Sequence, residues 1–127
     1  MRPLKIMLID DDEADNYIHR HNITCTGLGE IVKEFFTADE ALAWLEEGAD
    51  EIDLIFLDLN MPGLNGFEFI ESFNQLVERT QISIKIVILT SSMHPIDEKT
   101  ANGYGFLFVN KPLTPEMFRD IAERTPT

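Results

Sequence analysis

The sequence predicts an α/β fold: a (βα)5 chain whose five strands make one parallel sheet with helices on both faces. Two observations lead there. Short runs that are apolar at every position alternate along the chain with stripes of helical period. The runs also lack the in-out alternation of a sheet with one wet face, so each strand is expected to be covered on both sides. Parallel strands need long crossovers, and these are usually helical.

The strands are expected at Ile6 to Ile9, Ile31 to Phe35, Leu54 to Leu57, Ile84 to Leu89 and Phe106 to Val109. Between the first two, Ala14, Tyr17, Ile18 and His21 share one helical face, whose apolar members Ala14, Tyr17 and Ile18 are expected to turn inward. Ala38, Ala41, Leu42 and Leu45 form a second stripe. It opens on Thr37-Ala38-Asp39-Glu40, a capping box in which hydroxyl and carboxylate each satisfy a free backbone N–H, and Gly48 is expected to stop it. Phe69, Ile70, Phe73 and Val77 make the third stripe. A fourth helix around Pro95 to Asn102 carries the weakest pattern. The last stripe, Met117, Phe118, Ile121 and Ala122, starts with Thr114 as cap and Pro115 at the first helical position. Thr125-Pro126-Thr127 reads as a frayed tail.

A length of 127 residues suits one domain spanning 1–127, with a core over about 4–124. Twenty-three acidic against 10 basic side chains leave a net charge of -13, which repels polyphosphate backbones and anionic headgroups. Nucleic acid and membrane are therefore not expected partners. No apolar stretch approaches the roughly 20 residues of a membrane helix, and the acid-terminated start is unlike a signal peptide. The single Cys25 closes no intrachain disulfide, and a cytoplasmic location is expected.

In an open α/β sheet ligands bind at the carboxyl ends of the strands, near the reversal of strand order. Asp10-Asp11-Asp12-Glu13 ends the first strand, Asp58 the third, Thr90-Ser91-Ser92 the fourth and Asn110-Lys111-Pro112 the fifth. Carboxylates, hydroxyls and an ammonium are thus expected on one rim. An acidic run can also be a solvated helix start, favourable against the macrodipole. Its abutment on the first strand, with a lone aspartate ending the third, points instead to a hard cation such as Mg2+. Asp58 is a candidate nucleophile toward phosphorus, although the proline and glycines after it also suit a residue leaving a strand in a turn. Lys111 can pair with phosphate oxygens, and the Thr90 hydroxyl can donate to one. His19, His21 and His94 have no ligating partners in sequence and are expected at the surface.

Together, MLIDDD, LIFLDLNMPGLNGFEF, ILTSS and FVNKP resemble the CheY-like receiver domain of two-component response regulators over essentially the whole chain. The resemblance implies a flavodoxin-like sheet of order 2-1-3-4-5. It makes Asp58 the phosphoacceptor, and Asp10 and Asp11, with Asp58 and the backbone carbonyl of Asn60, the Mg2+ ligands. Thr90 becomes the switch hydroxyl, and Lys111 the phosphoryl contact, followed by a commonly cis bond to Pro112. Phe108 becomes the aromatic that swings inward, its alternative being a permanently buried core ring. Asn60 and Ser92 would tune the lifetime of the phosphoryl group. The implied partners are a sensor histidine kinase or histidine phosphotransfer protein and a downstream protein target. The latter would dock on the surface of the fourth helix, fifth strand and fifth helix. The implied state is a monomer or a phosphorylation-dependent dimer, not an enzyme beyond its own aspartyl phosphorylation and dephosphorylation.

Rival readings fail on single features. A haloacid-dehalogenase-type phosphatase needs a second acid two residues after its nucleophile, and position 60 is Asn. Nucleotide binding lacks both G-x-x-x-x-G-K-[ST] and G-x-G-x-x-G. A constitutive adaptor would have no use for the intact set Asp10, Asp11, Asp58, Thr90 and Lys111.

Overall fold

The apolar runs become strands: β1 (Leu4–Ile9), β2 (Gly29–Phe35), β3 (Leu54–Leu57), β4 (Lys85–Thr90) and β5 (Leu107–Asn110). The computed structural model describes residues 2–47, 52–58, 66–80, 84–90 and 107–125. All four strand pairings are parallel, in the order β2-β1-β3-β4-β5. β1 and β2 start earlier than expected because pairing continues past the apolar run, Leu4 against Gly29 and Lys5 against Glu30. Backbone hydrogen bonding sets a strand's length, and hydrophobicity sets only its buried part.

The helices are α1 (Glu13–Thr24), α2 (Ala38–Glu46), α3 (Gly66–Thr80) and α4 (Pro115–Glu123). The stripe at Pro95 to Asn102 and the expected stop at Gly48 lie outside the described residues. Alternate strand residues divide the core. Met7, Ile9, Ile55, Leu57, Ile86 and Ile88 pack with Ala41, Leu45, Phe69 and Phe73 of α2 and α3. Ile6, Leu8, Leu54, Phe56, Val87 and Leu89 pack with Ile23 of α1 and with Phe118 and Ile121 of α4. A sheet sandwiched this way has no wet face, which accounts for its continuous apolar runs. Fully buried rings such as Phe56 and Phe118 each contribute about 2–3 kcal/mol by removal from water.

α1 overturns an expectation. Ala14, Tyr17 and Ile18 all face solvent, Tyr17 with 64% of its surface exposed, and the helix buries Asn16, His19 and Ile23 instead. Asn16 is tolerated inside because its Nδ2 donates to the Asp10 carbonyl at 2.9 Å, and His19 lines a recess that Asp10 and Asp58 also line. Thr125 is likewise buried rather than frayed, its hydroxyl donating to the Ile121 carbonyl at 2.7 Å. The Thr37 hydroxyl accepts from Glu40 N at 3.2 Å as the capping box requires, but it donates to the Glu40 carboxylate at 3.1 Å. The reciprocal bond thus comes from the hydroxyl rather than from the Thr37 N–H. Thr114 caps α4 by accepting from Met117 N, with Pro115 following it, as the sequence predicts.

Candidate functional site

β1 is flanked by β2 on one side and β3 on the other, so the chain leaves the centre of the sheet in opposite directions after β1 and β3. The crevice this creates at their carboxyl ends holds the acidic residues. Sheet hydrogen bonding runs one residue beyond each strand: Asp10 N donates to Phe35 O and Asp58 N to Ile9 O, each at 3.0 Å. The backbone, not a flexible loop, therefore fixes both aspartates. Asp10 and Asp58 are 4% and 6% exposed, while Asp11 lies at the surface just after β1.

The carboxylate oxygens of Asp10, Asp11 and Asp58 all lie within 4.8 Å of one another. The acidic run splits at this point. Asp12 caps α1 by accepting from Ala14 N and Asp15 N, and its own N–H donates to Asp10 Oδ1 at 2.9 Å. Asp12 and Glu13 thus realise the helix-start reading, whereas Asp10 and Asp11 join Asp58.

Lys111 follows β5 and enters the cluster from the other side. Its Nζ is 2.6 Å from Asp10 Oδ2, 2.7 Å from Asp15 Oδ2 and 3.5 Å from Asp58 Oδ2. The Lys111–Pro112 peptide is cis, as expected. Burial alone would lower the Lys111 pKa, but hydrogen bonds to Asp10 and Asp15, with the charge of Asp58, drive it well above its ordinary value. The ammonium is permanently charged. Burial also raises the Asp10 pKa, against the pull of Lys111 and the Asp12 N–H. Three carboxylates, Asp10, Asp15 and Asp58, stand around one ammonium, and Asp11 adds a fourth negative charge beside Asp10 and Asp58, an excess in a crowded, partly desolvated space. An all-oxygen donor set with that excess suits a hard divalent cation of the Mg2+ class.

Thr90 closes β4, paired with Asn110, so the backbone brings its position to the same rim. Phe108 is half-buried and packs against the core between the sheet and α2/α3. Asn60, Ser92 and His94 lie outside the described residues. His21 is at the surface as expected, but His19 is 2% exposed, a correction to its expected surface position. It lines a small recess with Asp10, Asn16 and Asp58 over Leu8, Phe56 and Leu89. Its signal was Asn16-His19-Ile23 at helical spacing, visible only when polar residues are allowed to point inward. Asp15 carried no sequence signal.

The family model for the response regulator receiver domain matches residues 6–123. The cyclic di-GMP phosphodiesterase response regulator RpfG of Xanthomonas campestris is 29% identical over 91% of this chain and 30% of its own length. The nitrate/nitrite response regulator protein NarL of Escherichia coli is 35% identical over 78% of this chain and 43% of its own length. The chain thus spans less than half of these relatives. A crystal structure of a two-component response regulator from Cytophaga hutchinsonii matches with a TM-score of 0.87 at 28% identity, over 98% of this chain and 97% of that one. With the 2-1-3-4-5 parallel sheet and the acidic crevice at its switch point, the family match is decisive: the chain belongs to the response regulator receiver domain family.

Proposed function

We propose that residues 1–127 form a single receiver domain in which Asp58 accepts a phosphoryl group from a phosphohistidine, presented by a sensor histidine kinase or a histidine phosphotransfer protein. The observation that carries this reading is the placement of the Asp58 carboxylate, buried at the end of β3, within 4.8 Å of two other carboxylates and 3.5 Å from a charged lysine. An Asp58 oxygen attacks phosphorus, the bond to the imidazole nitrogen breaks, and the acyl phosphate remains. Asp10, Asp11, Asp58 and the backbone carbonyl of Asn60 would hold Mg2+, which supplies charge neutralisation for the transferring group. Lys111 and the Thr90 hydroxyl compensate the added negative charge.

Movement of Thr90 toward the phosphoryl group draws Phe108 inward and shifts the population between two packings of the far surface. Of that surface, β5 and α4 are described, while the helix expected around Pro95 to Asn102 lies outside the described residues. Exposed Leu107 on β5 and Met117 on α4 give it apolar contact points for a downstream protein or a second copy of the chain. Exposed Tyr17 and Ile18 of α1, in the same helical layer as α4, lie beside Asp12 and Glu13 at the helix start and support docking of the phosphodonor there. The net charge of -13 supports protein partners over nucleic acid or membrane, and the lone Cys25 supports a reducing cytoplasm as the compartment. No described helix is long and apolar enough to cross a membrane.

The test is incubation with Mg2+ and acetyl phosphate, read by intact mass. Wild type gains one phosphoryl group, and Asp58→Asn gains none while keeping its circular dichroism spectrum. Equal modification of the variant would remove Asp58 from this role. Following the label with a histidine phosphotransfer partner then separates a relay, in which the label moves, from a docking output, in which only affinity changes.

A further inference from the structure

Resting on the phosphoacceptor reading above, we propose that Asp15 is a positioning residue: a tether that holds the Lys111 ammonium away from Asp58 and so sets how readily the domain takes up a phosphoryl group. Lysine has three N–H donors on one compact charge. Nζ of Lys111 lies at 2.6 Å from Asp10 and 2.7 Å from Asp15, and Asp58 stands at 3.5 Å, the outer limit of a hydrogen bond. The ammonium is therefore centred between β1 and α1, not on Asp58.

The holder is itself fixed. Asp15 occupies the first turn of α1, whose start is tied down by the Asp12 cap and by the Asn16 side chain on the Asp10 carbonyl. The segment after Lys111 is bound to the same helix, since Asn22 Nδ2 donates to the Leu113 carbonyl at 2.8 Å. A phosphoryl group on Asp58 replaces the single carboxylate charge with about 1.5 to 2 negative charges, now spread over the phosphoryl oxygens. To reach it, the ammonium must lengthen or give up its bond to Asp15. The Asp15 carboxylate competes with the phosphoryl oxygens for one cation.

The experiment titrates Mg2+-loaded protein with beryllofluoride by calorimetry, beryllofluoride standing in for the phosphoryl group. Asp15→Asn keeps the shape of the side chain and removes its charge, and is expected to bind about fivefold more tightly than wild type, the scale of a partly exposed ion pair. In a Lys111→Met background the same substitution should change affinity by less than about twofold, because no ammonium remains to be released. Asp12→Asn removes a neighbouring charge while still capping α1, and should leave affinity near that of wild type. Equal affinity for wild type and Asp15→Asn overturns the tether alone. An equal gain in Asp12→Asn, or a gain that persists without Lys111, also overturns it, because bulk electrostatics then suffices. Absence of beryllofluoride binding by wild type overturns the phosphoacceptor reading and the tether with it.

Discussion

His19 is 2% exposed, and its pKa is held below the ordinary 6.5, first by burial and then by the charge of Lys111, against the opposing pull of Asp15 and Asp10. A depressed histidine pKa means that the unfolded chain binds a proton at higher pH than the folded one. The stability this histidine contributes is therefore complete above pH 6.5 and is lost as pH falls through the lower folded value. His19→Gln keeps a polar side chain without the titration. Urea unfolding should show wild type more stable than the variant by about 1–2 kcal/mol near neutral pH, and the gap should narrow steadily toward about pH 5. A gap that stays constant over that range would show that His19 does not titrate differently on folding. Legibility at this scale follows the strand ends. Asp10, Asp11, Asp58 and Lys111 could be read from sequence because each directly follows or closely trails an apolar run. Asp15 could not, since its partner lies 96 positions away and the meeting exists only once β5 ends beside α1.

Among the elements, β2 owes its close approach to the α1/α4 layer to Gly29. A methyl group there would come within 2.7 Å of the Phe118 ring and 2.8 Å of both Ile23 and Ile6. These three are fully buried, in a close-packed region with little room to yield. Gly29→Ala should therefore cost about 1–3 kcal/mol by overpacking, measured as a lowered urea midpoint at unchanged m-value. Adding Phe118→Leu to make room should recover part of that loss, a coupling that independent sites would not show. If Gly29→Ala is neutral, β2 does not press on α1 and α4 as tightly as the distances state. The same layer explains the misread face of α1. An apolar stripe marks the buried side only when burial is apolar, and α1 packs where the sheet offers backbone carbonyls and carboxylates as well as Ile23's neighbours. α2 and α4 keep most of their stripes: Ala38, Ala41 and Leu45 are buried in the first, Phe118 and Ile121 in the second, whereas Met117, expected in the α4 stripe, lies exposed at the start of its helix. Departure from amphipathic pattern is thus concentrated in the helix that builds the site, where local consistency yields to function.

Across the whole molecule, a net charge of -13 opposes compaction, and the acidic crevice concentrates that repulsion in its most desolvated corner. Lys111 answers only part of it, since three of its carboxylate neighbours crowd one ammonium and Asp11 adds a further charge from the surface. In the absence of divalent metal, removing a charge there should stabilise the fold. Asp11→Asn is the gentlest way to do so, because Asp11 is exposed and carries no strand pairing. With a chelator present, the variant should unfold later than wild type by roughly 0.5–1 kcal/mol. Magnesium should reverse the order. At ten times its dissociation constant a ligand of the folded state contributes about 1.4 kcal/mol, a rise in Tm of several degrees for a domain of this size, on the order of 5 °C. Asp11→Asn, lacking one carboxylate of the cluster, should gain far less. The comparison is made at constant ionic strength with sodium chloride, because simple screening relieves general repulsion in both proteins alike. Parallel Mg2+ responses in the two proteins would mean that the ion acts through bulk charge, and that Asp10, Asp11 and Asp58 do not form a cation site.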